Sequence, residues 1–167
     1  MIVCLDVDYR ADDSAAVAAI VFEKFDSDAI IESHCVTVKN IHPYVPGEFY
    51  KRELPCLMAA LKEVKSPIDL IIVDSYVWLA KGVPGMGHHL YEELEKVIPV
   101  IGCAKTHFKT DDVSIPIVRG TSKSPLYITS VGMDEVDAAK YISQMHGDNR
   151  IPTLLKQVDR MCRDYGN

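Results

Sequence analysis

No apolar run in this 167-residue chain is long enough to cross a bilayer. The start, Met1-Ile2-Val3-Cys4-Leu5-Asp6, has no basic stretch and meets an acid at once, so it does not read as a secretory signal. The expectation is a cytoplasmic protein with no membrane partner. Cysteine is sparse: Cys4, Cys35, Cys56, Cys103 and Cys162 are odd in number, widely spaced, and never three apart as a zinc knuckle or redox pair requires. They read as buried free thiols in a reducing compartment. The histidines are scattered too, apart from His88-His89, and neighbours on a helix point in different directions, so that pair is no ready-made metal clamp. Positive charge is in deficit. Eighteen Lys and Arg against 24 Asp and Glu give −6, which argues against broad electrostatic attraction to nucleic acid or anionic membrane. Repeats, low-complexity stretches and linkers are absent, so residues 1–167 read as one domain.

What is present is an ordinary globular balance, 48% hydrophobic and 25% charged, with a clear change of pattern along the chain. Three apolar runs, Ile2 to Leu5, Ala15 to Phe22 and Ala29 to Val38, are joined by short polar turns and predict an antiparallel meander. A stiff loop follows at Pro43-Tyr44-Val45-Pro46-Gly47. Leu54, Leu57, Met58, Leu61 and Val64 then recur at helical spacing. Ile68 to Asp74 reads as a buried parallel strand ending on an acid, and Val100 to Cys103 as another, with a helix carrying Leu90, Leu94 and Val97 between them. A polar segment from Thr106 to Ser124, a strand over Leu126 to Thr129 and helices from Asp134 and from Ile151-Pro152 complete the chain. The order predicts an α/β fold: one mixed sheet, a three-strand antiparallel meander plus parallel strands, flanked by helices, as in ribonuclease H-like folds.

Three acids stand where apolar patterns break. Asp6 interrupts the first strand, Glu53 lies at the start of the first long helix, and Asp74 ends the fourth strand. If the first and fourth strands are parallel neighbours, Asp6 and Asp74 leave the sheet at one edge, and the helix after the meander brings Glu53 over them. Converging carboxylates repel unless a cation neutralises them. Oxygen-only ligands suit Mg²⁺ or Mn²⁺, which assist phosphodiester cleavage. The alternative is that these are plain strand-end and helix-start charges, Glu53 favouring a helix N-terminus. Asp8 competes with Asp6, since both point to one face of an alternating strand.

The stretch Pro43-Tyr44-Val45-Pro46-Gly47, then Arg52-Glu53-Leu54-Pro55, resembles the signature of the endonuclease V family, a Pro-Tyr-Ile/Val-Pro-Gly wedge followed by Arg-Glu. Leu5-Asp6-Val7-Asp8-Tyr9 is similar to the family's first strand and Val73-Asp74 to the opening of its Val-Asp-Gly-His-Gly motif; His89 falls at the histidine of Ala-Ser-His. Ile101 to Lys105, Pro125 to Ile128, Ser130-Val131-Gly132, Ile151-Pro152 and Asp159 also have counterparts, so the resemblance runs in order along essentially the whole chain. It implies a Mg²⁺- or Mn²⁺-dependent endonuclease that recognises an inosine-type deaminated base in DNA or RNA and cuts one nucleotide to its 3′ side. Asp6, Glu53 and Asp74 would hold the metal, and Lys105 would stabilise charge at the scissile phosphate. Tyr44, flanked by Pro43, Pro46 and Gly47, would be a wedge filling the gap left by a flipped base; His89 joins the nucleic-acid contacts.

The chain also departs from the family. Ser75-Tyr76-Val77 replaces Gly-His-Gly, Ala80 and Met133 stand at histidine positions, and Glu48-Phe49 replaces an apolar pair after the wedge. The replaced histidines imply weak or lost chemistry, leaving a nucleic-acid-binding relative as the alternative. Side chains on Ser75 and Val77 imply a more crowded base pocket and altered specificity. Gly82, Gly85 and Gly87 enter a helix, but no Lys-Ser pair follows to make a P-loop. Arg119, Thr121, Ser122 and Lys123 read as a solvated loop, with phosphate contact as the other reading. Trp78 reads as packing or interface, and Asp111-Asp112 as a solvated turn.

Overall fold

Alternation places two apolar layers on one sheet. β2 (Ala15–Phe22) is buried along its whole length: Ala16, Ala18, Ile20 and Phe22 face one core, Val17, Ala19 and Val21 the other. β2 pairs antiparallel with β1 (Ile2–Tyr9) and with β3 (Glu32–Val38), so the expected meander is present. The computed structural model describes residues 1–166. α1 (Phe49–Leu61) then leads to β4 (Leu70–Val73), which pairs parallel to β1, Leu5 opposite Val73. β5 (Trp78–Ala80) and β6 (Val83–Pro84) form a small ribbon before α2 (Met86–Glu93). β7 (Val100–Ala104) lies parallel to β4. β8 (Ile115–Ile117) and β9 (Leu126–Val131) close the sheet antiparallel, and α3 (Glu135–Gln144) and α4 (Thr153–Asp164) end the chain.

The seven-stranded order is β3-β2-β1-β4-β7-β9-β8, the mixed sheet expected from the sequence. α1 and α2 cover the face bearing Val3, Leu5 and Val73; α3 and α4 cover the face bearing Cys4, Ile72 and Cys103. No described helix is long and apolar enough to cross a membrane. All five cysteines are free, and all but Cys35 are buried.

The polar segment from Thr106 to Ser124 differs from its expected form. It contains β8, and its charges are structural. Arg119 is 7% exposed, and its guanidinium donates to the carbonyls of Met145, Gly147 and Asn149, so it tethers the α3–α4 connection and is neither solvated nor open to phosphate. The Asp111 side chain is 2% exposed. It accepts from Val113 N at 3.0 Å, Ser114 N at 2.9 Å and the Tyr76 hydroxyl at 3.3 Å, so it is a buried loop anchor and no solvated turn. Asp112 is exposed, as expected of a turn. Trp78 packs as expected, tilted on His88 with ring centres 4.3 Å apart and donating to Ser130 O at 3.0 Å.

Val77 does not crowd a pocket. It is fully buried under α2, where the missing side chain of Gly87 makes room for it. A Cβ on Gly87 would stand 2.7 Å from Val77 Cγ2 and 3.2 Å from Val77 Cα. The segments cannot easily part, because Gly87 N donates to Tyr76 O at 3.0 Å. Gly87→Ala is therefore expected to lower stability by about 1–3 kcal/mol in urea melts. Adding Val77→Ala should cost less than the sum of the single changes, since it removes the clashing methyl. Strict additivity would show that the two sites do not touch.

Candidate active site

β1 and β4 run parallel and their pairing ends at Leu5 and Val73, so the next residues, Asp6 and Asp74, stand side by side at that edge, Asp6 still within β1 opposite Ala18 of β2. β7 ends beside them and delivers Lys105. α1 lies over this edge and supplies Glu53 from its second turn. Glu53 is thus no helix-start charge: the first turn of α1 holds no acid, and Glu53 is 9% exposed. The structure also separates Asp6 from its competitor, since Asp8 Oδ2 is held by Arg10 Nε at 3.1 Å. Asp6, Asp74 and Lys105 line one cleft, Glu53 lies close enough to feel the Asp6 and Asp74 charges, and a fourth acid, Asp159 of α4, joins them. Asp159 Oδ1 lies 3.9 Å from Lys105 Nζ and 2.9 Å from Arg163 Nη2. Its signal in the sequence, besides its family counterpart, is an acid beside the inward positions Leu154, Val158 and Cys162.

The electrostatics report crowding of like charge. Burial pushes Glu53 up to about 8, the Asp6 charge adds to this, and the Tyr9 hydroxyl opposes it by donating to Glu53 Oε2 at 3.4 Å. Burial and then Asp74 push Asp6 up to about 7, against the Val7 N–H that donates to Asp6 Oδ1 at 2.8 Å. Lys105 donates to Asp74 Oδ2. Burial disfavours its charge, but Asp74, Asp6 and Asp159 outweigh that and raise its pKa. Oxygen donors in mutual repulsion fit a hard divalent cation in chemistry. In position they are not closed on one: among the described residues no three such side chains stand close enough to share an ion, and the Lys105 ammonium holds Asp74 instead.

Beside the acids, on the α1–α2 face, opens a cavity of about 600 Å³ walled by Tyr44, Tyr50, Ser75, Tyr76, His89 and Phe108. The His89 ring stacks on Tyr50, centres 3.7 Å apart at 14°, and burial lowers its pKa. Tyr44 is 61% exposed at the rim, its ring edge-on to Phe49 with centres 6.4 Å apart. Its neighbours Pro43 and Pro46 are exposed, and Gly47, at φ +83°, turns the chain into α1. Glu48, the unexpected acid after the wedge, pairs with Lys51 at 2.9 Å, which moderates its charge. Ala80 lies in the β5–β6 ribbon and Met133 packs against the core, so neither position offers a proton carrier.

Tyr76 fixes one wall. Its hydroxyl accepts from Phe108 N at 3.1 Å and shares its one proton between Thr106 O, at 3.1 Å, and Asp111 Oδ2, at 3.3 Å. Tyr76→Phe should release the loop bearing Phe108 and raise KM for the cavity's occupant several-fold, with kcat changed less, because Lys105 and the acids are untouched. Unaltered KM would mean that the loop holds its place without Tyr76.

The family model described as Endonuclease V matches residues 1–133. Among curated proteins, the endonuclease V of Rippkaea orientalis is 24% identical over 184 residues, taking in 98% of this chain and 79% of that protein. That of Streptomyces coelicolor is 32% identical over 137 residues, 81% of this chain and 55% of the relative. Among solved structures, human ENDOV superposes with a TM-score of 0.81 at 22% identity, over 98% of this chain and 83% of that one. Ciona intestinalis endonuclease V, in complex with a 24mer DNA containing an inosine followed by a ribo-adenosine, gives a TM-score of 0.80 at 16% identity, over 97% and 84%. At these identities the structural likeness is one of fold.

Proposed function

The chain belongs to the endonuclease V family, and from that membership we propose that it is a Mg²⁺- or Mn²⁺-dependent endonuclease acting beside an inosine-type deaminated base in DNA or RNA. The observation that carries this reading is the gathering of Asp6, Glu53, Asp74 and Lys105 at one sheet edge, next to an aromatic cavity with an exposed tyrosine at its rim. The relative from Ciona intestinalis, crystallised on inosine-containing DNA, supports the choice of base.

Asp6, Glu53 and Asp74 would hold the metal. When bound, it supplies a charge that lowers the pKa of the attacking water and stabilises the leaving oxygen. Lys105, drawn from Asp74 to the phosphate as it enters, offsets the charge that grows on the phosphoryl oxygens. Water gives up a proton as it adds to phosphorus, the bond to the 3′ oxygen breaks, and that oxygen takes a proton, leaving a 3′-hydroxyl and a 5′-phosphate. The cavity takes the flipped base against the His89–Tyr50 stack, and Tyr44, stiffened by Pro43 and Pro46, replaces it in the strand.

A second reading has its own support. The Lys105 ammonium sits on Asp74, and the family's histidine positions are Ala80 and Met133, which describes a binding protein with little chemistry. Nicking of inosine-containing DNA and RNA with Mg²⁺ or Mn²⁺ decides between them. Cleavage above that of Asp74→Asn supports the enzyme; salt-dependent binding without cleavage supports the binding protein.

A further inference from the structure

Lys105 borders two large cavities, besides a narrow cleft against Asp6, Asp74, Leu155 and Val158. The aromatic one lies on the α1–α2 face of the sheet. The other, about 470 Å³, lies on the α3–α4 face between the β8–β9 loop and the start of α4. Its lining is of another kind: Thr121, Ser122, Asn149, Arg150 and Lys156 supply hydroxyl, amide and cationic donors, and Asp159 is its acid, already held by Arg163. Arg150 is fixed by bonds to the carbonyls of Lys105 and Pro125, at 2.9 Å to Pro125, so the groove is rigidly joined to the strand that carries Lys105. The Nε of Arg150 is buried without a hydrogen-bond partner among the described residues. Lys156 is exposed and forms no ion pair among the described residues. In a chain of net charge −6, such a run of donors is a local exception.

We infer that this groove is a binding site for the sugar–phosphate backbone of a nucleic-acid strand, taking the phosphates 3′ of the cleaved bond. The inference rests on the proposed endonuclease reading, which sets the direction. A strand with its base in the aromatic cavity and its scissile phosphate at the acids, continuing 3′ across the sheet edge at Lys105, passes the narrow cleft of Ile151, Leu155 and Val158 and meets this groove on the far face. Hydroxyl, amide and ammonium donors without an aromatic platform match phosphate and sugar, and carry no means of reading base sequence. A short, local grip of this sort also suits a protein whose overall charge repels the strand.

The test compares inosine-containing single strands that share a 5′ arm and carry either one nucleotide or a longer arm beyond the cleaved bond. Binding is read by fluorescence anisotropy in chelator, which keeps the strands intact, and cleavage separately with Mg²⁺. The wild type is expected to bind the long-armed strand about tenfold more tightly at low salt. Lys156→Glu should abolish that preference and reduce the salt slope by about 0.7, the value for one single-strand phosphate contact. Lys140→Glu, a charge reversal on an exposed position of α3, should retain it. Equal binding of both strands by the wild type, or an undiminished preference in folded Lys156→Glu, would overturn the groove. Preference without any cleavage would leave the groove standing and remove the hydrolase reading instead.

Discussion

Asp74→Asn is expected to lower cleavage of an inosine-containing strand by at least about 10³-fold while leaving the melting temperature within a few degrees. The change keeps the shape of the side chain and removes its charge. Asp74 ends β4 at the point where β1, β4 and β7 converge, so it has Asp6 on one side and Lys105 on the other. Losing its charge has two consequences. A hard cation loses an ionised oxygen ligand, and Lys105 loses the carboxylate that positions it before a phosphate arrives. Lys105→Ala removes only the second and is expected to cost less, about 10²-fold. Stability should change little, because both partners are about one-third exposed and such pairs contribute little. Rates are measured under single-turnover conditions on DNA and RNA. Equal rates for the wild type and Asp74→Asn would end the nuclease assignment.

The ranking of these two variants also separates the two readings of Lys105. If its bond to Asp74 is the resting state of an enzyme, the bond must give way on phosphate binding, and Lys105→Ala weakens catalysis. If the bond is a permanent substitute for a metal, Lys105→Ala should instead open Asp74 to the cation and raise affinity for Mn²⁺. The geometry favours exchange: Lys105 is 35% exposed at its side chain and lines the large cavity on each face, so a phosphate can reach it from either face.

The parts of this architecture that were legible in the sequence are those set by local pattern. β4 is a short apolar run stopped by Asp74, and Asp6 follows the apolar first half of β1, so the two acids come to one edge once the strands are parallel. Glu53 was legible through its Arg-Glu motif, but its burial was not, because that depends on how α1 lies across the sheet edge. The segment after β7 was misleading for the same reason. Arg119 and Asp111 look like surface charges in a polar run, yet each is satisfied by groups far along the chain or by tight turns that leave no periodicity. Asp159 sits on an amphipathic helix whose outward acids look alike in sequence; only the packing of α4 against β1 brings this one to Lys105. The fit between Val77 and Gly87 is a further case, in which a departure and a helix-entry glycine that look independent in sequence are one packing solution in the fold.

Glu53→Gln is expected to act on stability in the opposite direction from its effect on activity. In the metal-free protein the folded-state pKa of Glu53 is about 8, against 4.5 for the unperturbed group, and that of Asp6 is about 7, against 3.8. The folded state therefore binds more protons than the unfolded state between those values. Stability is fully present below the unfolded pKa values, near pH 4, and is lost as pH rises through 7 and 8. Glutamine keeps the length of the side chain and an oxygen to accept from Tyr9, and carries no charge to bury beside Asp6. At pH 8 the variant should exceed the wild type by about 2 kcal/mol, or about 4–8 °C in melting temperature, and the advantage should vanish toward pH 4. Mn²⁺ should reverse the order. It stabilises the wild type by neutralising the same repulsion, so its effect on melting temperature should be larger at pH 8 than at pH 6 and should be small in Glu53→Gln at either pH. Thermal melts across pH with and without Mn²⁺ read all of this without any substrate. A Glu53→Gln protein no more stable than the wild type at pH 8 would show that Glu53 is not held against its neighbours. A wild type unmoved by Mn²⁺ at pH 8 would show that the acids do not take the ion their repulsion calls for.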